Sequence, residues 1–172
     1  MKMEVNKNDH VQGPADAPIV LIEYADYQCP YCKTADHIVK DIRKKLGDNV
    51  RFVFRNFPLI EVHPHALHAA IAAEITGAYG KFWEMHDLLF EHQDALDDYH
   101  LLEYAKKLGI NGPEFEADFG QERFYQKVKY DYDSGLEHDV QGTPTFFING
   151  EPFNGNWQSS ELLEYLESLI IE

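Results

Sequence analysis

The 172-residue chain has only two cysteines, Cys29 and Cys32, three positions apart. Two thiols cannot form a disulfide framework, and a chain of this length does not need one to hold a core. Nowhere does the sequence reach the roughly 20 consecutive apolar residues of a membrane-spanning helix. Positive charge is scarce: 15 Lys+Arg stand against 30 Asp+Glu, a formal net charge of −15. Such an acidic chain is a poor partner for nucleic acid or an anionic membrane, which are themselves polyanions. The opening residues, MKMEVNKNDHVQGPADAP, lack the apolar run of a signal peptide, so a cytoplasmic location is the expectation. For a mature or truncated form, that expectation becomes periplasmic or extracytoplasmic.

What is present suits a packed core, with 44% hydrophobic and 13% aromatic residues. Residues 1–17 are polar and broken by Gly13 and Pro14, and read as an arm leading into the fold. Ile19 to Ala25 is short, apolar and rich in β-branched residues, which suits a buried strand interrupted by Glu23. Pro30 fits the first turn of a helix, and Ala35, Ile38, Val39, Ile42 and Leu46 give that helix one apolar face up to Gly47. VRFVFRNF, residues 50–57, alternates as a second strand. Five helical segments follow, from about Pro64 to Glu137. Thr145 to Ile148 is then a strand, Asn149-Gly150 a tight turn, Pro152 to Asn154 a return, and residues 161–170 a final helix. A β–α–β start and a β–β–α finish give an α/β fold, with a central four-stranded sheet and helices inserted between its halves.

Cys29 falls between a strand and a helix, at the helix N-terminus. Free N–H groups and the helix dipole there favour an anion, and a thiolate is that anion. Cys32, one turn on, is placed to resolve a mixed disulfide formed at Cys29. Pro30 and Tyr31 between them set the stability of the thiolate. Zinc is the weaker reading, because a structural site needs four ligands and there is no second cysteine pair. His63, His65 and His68 could share a metal, but fit a helix start better. A metal-binding or chaperone-like protein, holding clients on its acidic helices, is the alternative from another functional class.

Taken together, EYADYQCPYC, FRNFPL, GKFWEMHDLLF and VQGTPTFFINGEPFNG resemble the DsbA-like thioredoxin-fold oxidoreductases. That resemblance implies a thioredoxin-like domain at 14–62 and 140–172, with an inserted helical domain at 63–139. It implies thiol–disulfide exchange with protein thiols and disulfides, without a bound cofactor, by a monomer. A redox partner would recycle the dithiol: thioredoxin, glutathione or a membrane oxidase. Cys29 would be the nucleophile and Cys32 the resolving thiol. Pro144, after Thr143, would be a cis-proline facing the dithiol, with Pro30, Tyr31, Thr143 and Pro144 contacting substrate. Glu23 matches an acidic position of the family, and a buried carboxylate there could carry the proton of Cys32. The alternative for Glu23 is a strand edge or an ion pair with Arg51 or Arg55. The direction of exchange stays open, since the C-P-Y-C dipeptide resembles glutaredoxins and some isomerases while the helical insertion resembles an oxidase.

Overall fold

A computed structural model describes residues 2–170. The chain runs β1 (His10–Gln12), β2 (Ile19–Ala25), α1 (Pro30–Leu46), a 3-10 turn (Gly47–Asn49) and β3 (Val50–Asn56). Five helices follow, α2 (Ala66–Ala78), α3 (Phe82–Glu91), α4 (Asp98–Lys107), α5 (Gly112–Phe119) and α6 (Glu122–Glu137). The chain then returns through β4 (Thr145–Ile148), β5 (Glu151–Pro152) and α7 (Glu161–Ser168). Among the described residues no helix is long and apolar enough to cross a membrane.

The sheet has the order β1-β3-β2-β4-β5, so β2 lies at its centre. The parallel β2–β3 pair is joined by α1, while β4 runs antiparallel to β2. Strands β2 to β5 follow the expected order, though the return strand is Glu151–Pro152 rather than Pro152 to Asn154; the fifth strand, β1 at the opposite edge, is not expected. Residues 10–12 belong to the sheet rather than to a free arm, pairing antiparallel with Phe52–Phe54. Three residues are too few to show an alternating pattern, and the neighbouring strand's backbone recruits them. The adjoining arm is tied down by a buried ion pair, Arg55 to Asp9 at 2.8 Å, and by Arg55 donating to the Glu4 carbonyl at 2.7 Å. Desolvated as they are, these charges hold the arm only because each has its partner.

Strand periodicity sorts the side chains onto two faces. Ile19, Leu21, Ala25, Phe52, Phe54, Phe146 and Ile148 join the larger core, beneath α1 and the inserted helices. Ile22, Tyr24, Val53, Phe57 and Phe147 form the smaller core on the other face. Glu23, between Ile22 and Tyr24, therefore has the parity of Leu21 and Ala25 and faces the larger core.

Helix α6 closes the smaller core with a glycine. A Cβ on Gly135 would lie 2.7 Å from Phe57 Cε1 and 3.1 Å from Tyr24 Cδ1. The Phe57 ring is stacked on Tyr132 at 4.4 Å and has little room to yield. Gly135→Ala should therefore destabilise the protein by about 1–3 kcal/mol, the overpacking cost outweighing the roughly 1 kcal/mol gained in helix propensity. A urea unfolding midpoint equal to or above that of the wild type would contradict this.

Candidate active site

The turn Asp26-Tyr27-Gln28 connects the central strand to α1 and presents Cys29 as the N-cap residue, with Pro30 at the first helical position. Proline has no N–H, so the first donors of the helix are the amides of Tyr31 and Cys32, the latter also reaching the Cys29 carbonyl at 3.0 Å. Both cysteines are free thiols. Cys32 is fully covered and Cys29 nearly so, at 0% and 4% exposure, while Tyr31 between them stands out at 61%. Pro30 is likewise exposed.

The two sulfurs differ sharply in proton affinity. The Cys29 thiol is drawn down from its ordinary 9.0 to about 6. Hydrogen bonding from Cys32 is the main cause; burial opposes it, and Thr143 with the backbone amides of Cys32 and Tyr31 reinforces it. Cys32 is pushed far up, by burial first and then by donating to Cys29 and by the nearby Glu23. One sulfur is thus built to be a thiolate and the other to keep its proton.

Opposite the dithiol, the Thr143–Pro144 peptide, expected cis, is cis. Thr143 and Pro144 are half-buried, and the Thr143 carbonyl lies 3.8 Å from Cys29 Sγ. The Thr143 hydroxyl is buried without a conventional hydrogen-bond partner among the described residues.

Glu23 is 2% exposed, on the central strand, in register with Phe54 on one side and Phe146 on the other. It is neither at a strand edge nor paired with an arginine: Arg55 is committed to Asp9, the Tyr24 hydroxyl and the Glu4 carbonyl. Glu23 Oε2 has no hydrogen-bond partner among the described residues. Burial, then the charges of Asp36 and Cys29, raise its pKa well above the ordinary 4.5.

Several residues of the site carried no sequence signal. Asp26 accepts from the Leu59 amide and from His63 Nδ1, both at 2.8 Å, while its own amide points at Cys32 Sγ at 3.5 Å. Gln28 Oε1 accepts from the His65 amide at 2.8 Å. His63, His65 and His68 thus part company, the last bonding Asp98 at 2.6 Å. Tyr24 and Tyr27, which precede Cys29 in the chain, are buried. His86 bonds the Tyr27 hydroxyl at 2.9 Å and Asp36 at 3.2 Å. Among the described residues, Asp36, His86 and Asp87 could together offer ligands to a metal ion. The cation they meet is the Lys40 ammonium, 3.0 Å from each aspartate.

A family model described as Thioredoxin matches residues 5–168. The crystal structure of oxidised BdbD from Bacillus subtilis superposes with a TM-score of 0.82 at 29% identity, covering 96% of this chain and 95% of that one. The crystal structure of alpha-DsbA1 from Wolbachia pipientis gives 0.79 at 20% identity, over 97% of this chain and 95% of that one. A Na(+)/H(+) antiporter, NhaA 3 of Salinispora tropica, is 42% identical over 154 residues, which are 90% of this chain and 24% of that protein. The chain spans about a quarter of the length of the curated relatives it matches, and the antiporter name is that of the longer proteins.

Proposed function

The chain belongs to the thioredoxin family, and from that premise we propose that it is a thiol–disulfide oxidoreductase of DsbA type, donating disulfides to protein thiols. The observation that carries this reading is the split between the two sulfurs, with Cys29 lowered to about 6 and Cys32 raised. Stabilising the Cys29 thiolate stabilises the reduced protein, which makes its disulfide the easier one to reduce and hence the better donor.

The steps balance as follows. A client thiolate attacks Cys29 Sγ in the oxidised protein, the Cys29–Cys32 bond breaks, and Cys32 leaves as a thiolate. Poor as a leaving group, it takes a proton from the Glu23 carboxyl. A second client thiolate then attacks the client sulfur of the mixed disulfide, and Cys29 departs as the stable thiolate. The client has lost two electrons and the dithiol has gained them; glutathione, thioredoxin or a membrane oxidase would take them on. Thr143 and Pro144 form the wall beside which the client chain lies, and Pro30 and Tyr31 are the exposed face it meets. In this reading residues 14–62 and 140–172 carry the chemistry and 63–139 form the inserted helical domain. Disulfide donation fits an oxidising compartment, periplasmic or extracytoplasmic, better than the cytoplasm.

Equilibration with glutathione buffers across pH tests the direction. Below the Cys29 pKa, reduction takes up two electrons and two protons; above it, two electrons and one proton. The potential should therefore fall by about 59 mV per pH unit below a break near 6 and by about 30 mV above it. At pH 7 it should stand above the roughly −270 mV of thioredoxin. A value at or below that figure excludes a dedicated disulfide donor.

A further inference from the structure

Tyr27, two residues before the nucleophile, is gripped at both ends by one segment of the inserted helices. Its hydroxyl meets His86 Nδ1 at 2.9 Å, and its carbonyl accepts from Gln93 Nε2 at 2.8 Å. The same Gln93 amide donates to the Cys29 carbonyl, also at 2.8 Å. Gln93 lies just beyond α3, 64 residues along the chain from Cys29. The orientation of its amide is forced: the flipped form would set Oε1 against two carbonyl oxygens and leave two donors idle.

We propose that Gln93 is a positioning residue for the nucleophile, reaching from the inserted helices to lock the peptide plane between Cys29 and Pro30. This deepens the oxidoreductase reading, whose nucleophile is Cys29. Locking that plane fixes the extended conformation of Cys29, φ −76° and ψ 120°, from which α1 starts. The Cys29 carbonyl also receives the amides of Cys32 at 3.0 Å and Lys33 at 3.3 Å. With Gln93 it therefore has three donors, and the first helical turn is anchored from outside as well as from within. The amides of Tyr31 and Cys32 sit in that turn, and both act on the Cys29 sulfur. A residue with no contact to either sulfur thereby sets how well the helix terminus receives the thiolate. The charged groups around this grip are Asp36 on α1, with Asp87 and His86 on α3, joined through Lys40, together with Glu74 on α2 and Glu23 on β2, whose charges also act on Tyr27.

Gln93→Met keeps length and bulk while removing both donors, and Gln93→Glu keeps the shape while turning a carboxylate on two carbonyls. In the full-length reduced chain, the Cys29 thiolate is titrated by its ultraviolet absorbance. Both variants should move the midpoint upward by about one unit from the wild-type value near 6, with faster amide hydrogen exchange at Tyr31 and Cys32. Gln93 acting only in packing would lower the unfolding temperature and leave the midpoint in place. Folded variants with a wild-type midpoint overturn the proposal. The titration needs no client: a wild type without exchange activity removes the oxidoreductase reading, while an unmoved midpoint removes only the role of Gln93.

Discussion

Cys29→Ser should abolish thiol–disulfide exchange, by about 10³-fold or more, whereas Cys32→Ser, with no disulfide of its own to donate, should still let the Cys29 thiolate attack an added disulfide and should stop there. A serine hydroxyl stays protonated where Cys29 is largely ionised, so the helix terminus no longer holds a nucleophile. In Cys32→Ser the nucleophile survives and the serine hydroxyl can still donate to it, whereas Cys32→Ala removes the hydrogen bond that contributes most to its low proton affinity and should raise its titration midpoint from about 6. Attack on a disulfide leaves one of its halves on Cys29 and releases the other as a thiolate; without Cys32 nothing in the protein expels the half that stays, and the mixed disulfide accumulates. Non-reducing electrophoresis and intact mass, with a disulfide-bonded peptide and with oxidised glutathione, separate the two variants. Exchange persisting in Cys29→Ser, or a stable adduct on Cys32 in place of Cys29, would refute the assignment of roles. The asymmetry is expected from burial alone, since an incoming sulfur has no path to Cys32 at 0% exposure.

The dithiol was legible because its signal is local. Two cysteines flanking Pro30, a strand before and a helix after, fix the geometry within one turn. Glu23 was legible as the one charged residue in an apolar run and through the family resemblance, while its place on the side of α1 comes from the strand register. Gln93, Asp26 and His63 were not legible, because what makes them part of the site is distance in space. Gln93 sits in FEHQDAL, a polar link with no pattern, and matters only because α3 ends beside the redox turn. His10 lies in the segment that reads as an arm, yet it stacks on Phe82 at 3.5 Å and bonds Glu74, once the sheet has recruited β1. Pattern reading sees what a segment requires of itself, and the missing residues answer to what distant segments require of it.

Glu23→Leu should move stability and function in opposite directions. The carboxyl is buried between two phenylalanines, with one oxygen unpartnered among the described residues. An apolar side chain of similar size removes that desolvation cost, so the variant should be more stable by about 1–3 kcal/mol. The gain should also depend on pH. Because the folded-state pKa of Glu23 is raised, the wild type keeps its full stability below the ordinary 4.5 and loses it as pH rises toward the folded value. Leucine has no such loss, so the difference between the two proteins should widen as pH rises above 4.5 and level off beyond the folded-state pKa, as read from urea unfolding at several pH values. Disulfide donation should suffer meanwhile, by about 10²-fold, since Cys32 loses the group that protonates it as it leaves. The adduct at Cys29 should form slowly and, once formed, decay at nearly its normal rate, because a second client thiolate expels Cys29. A less stable variant would mean that Glu23 has a partner in the fold after all. Wild-type formation of the adduct would mean that water reaches Cys32 and carries its proton instead.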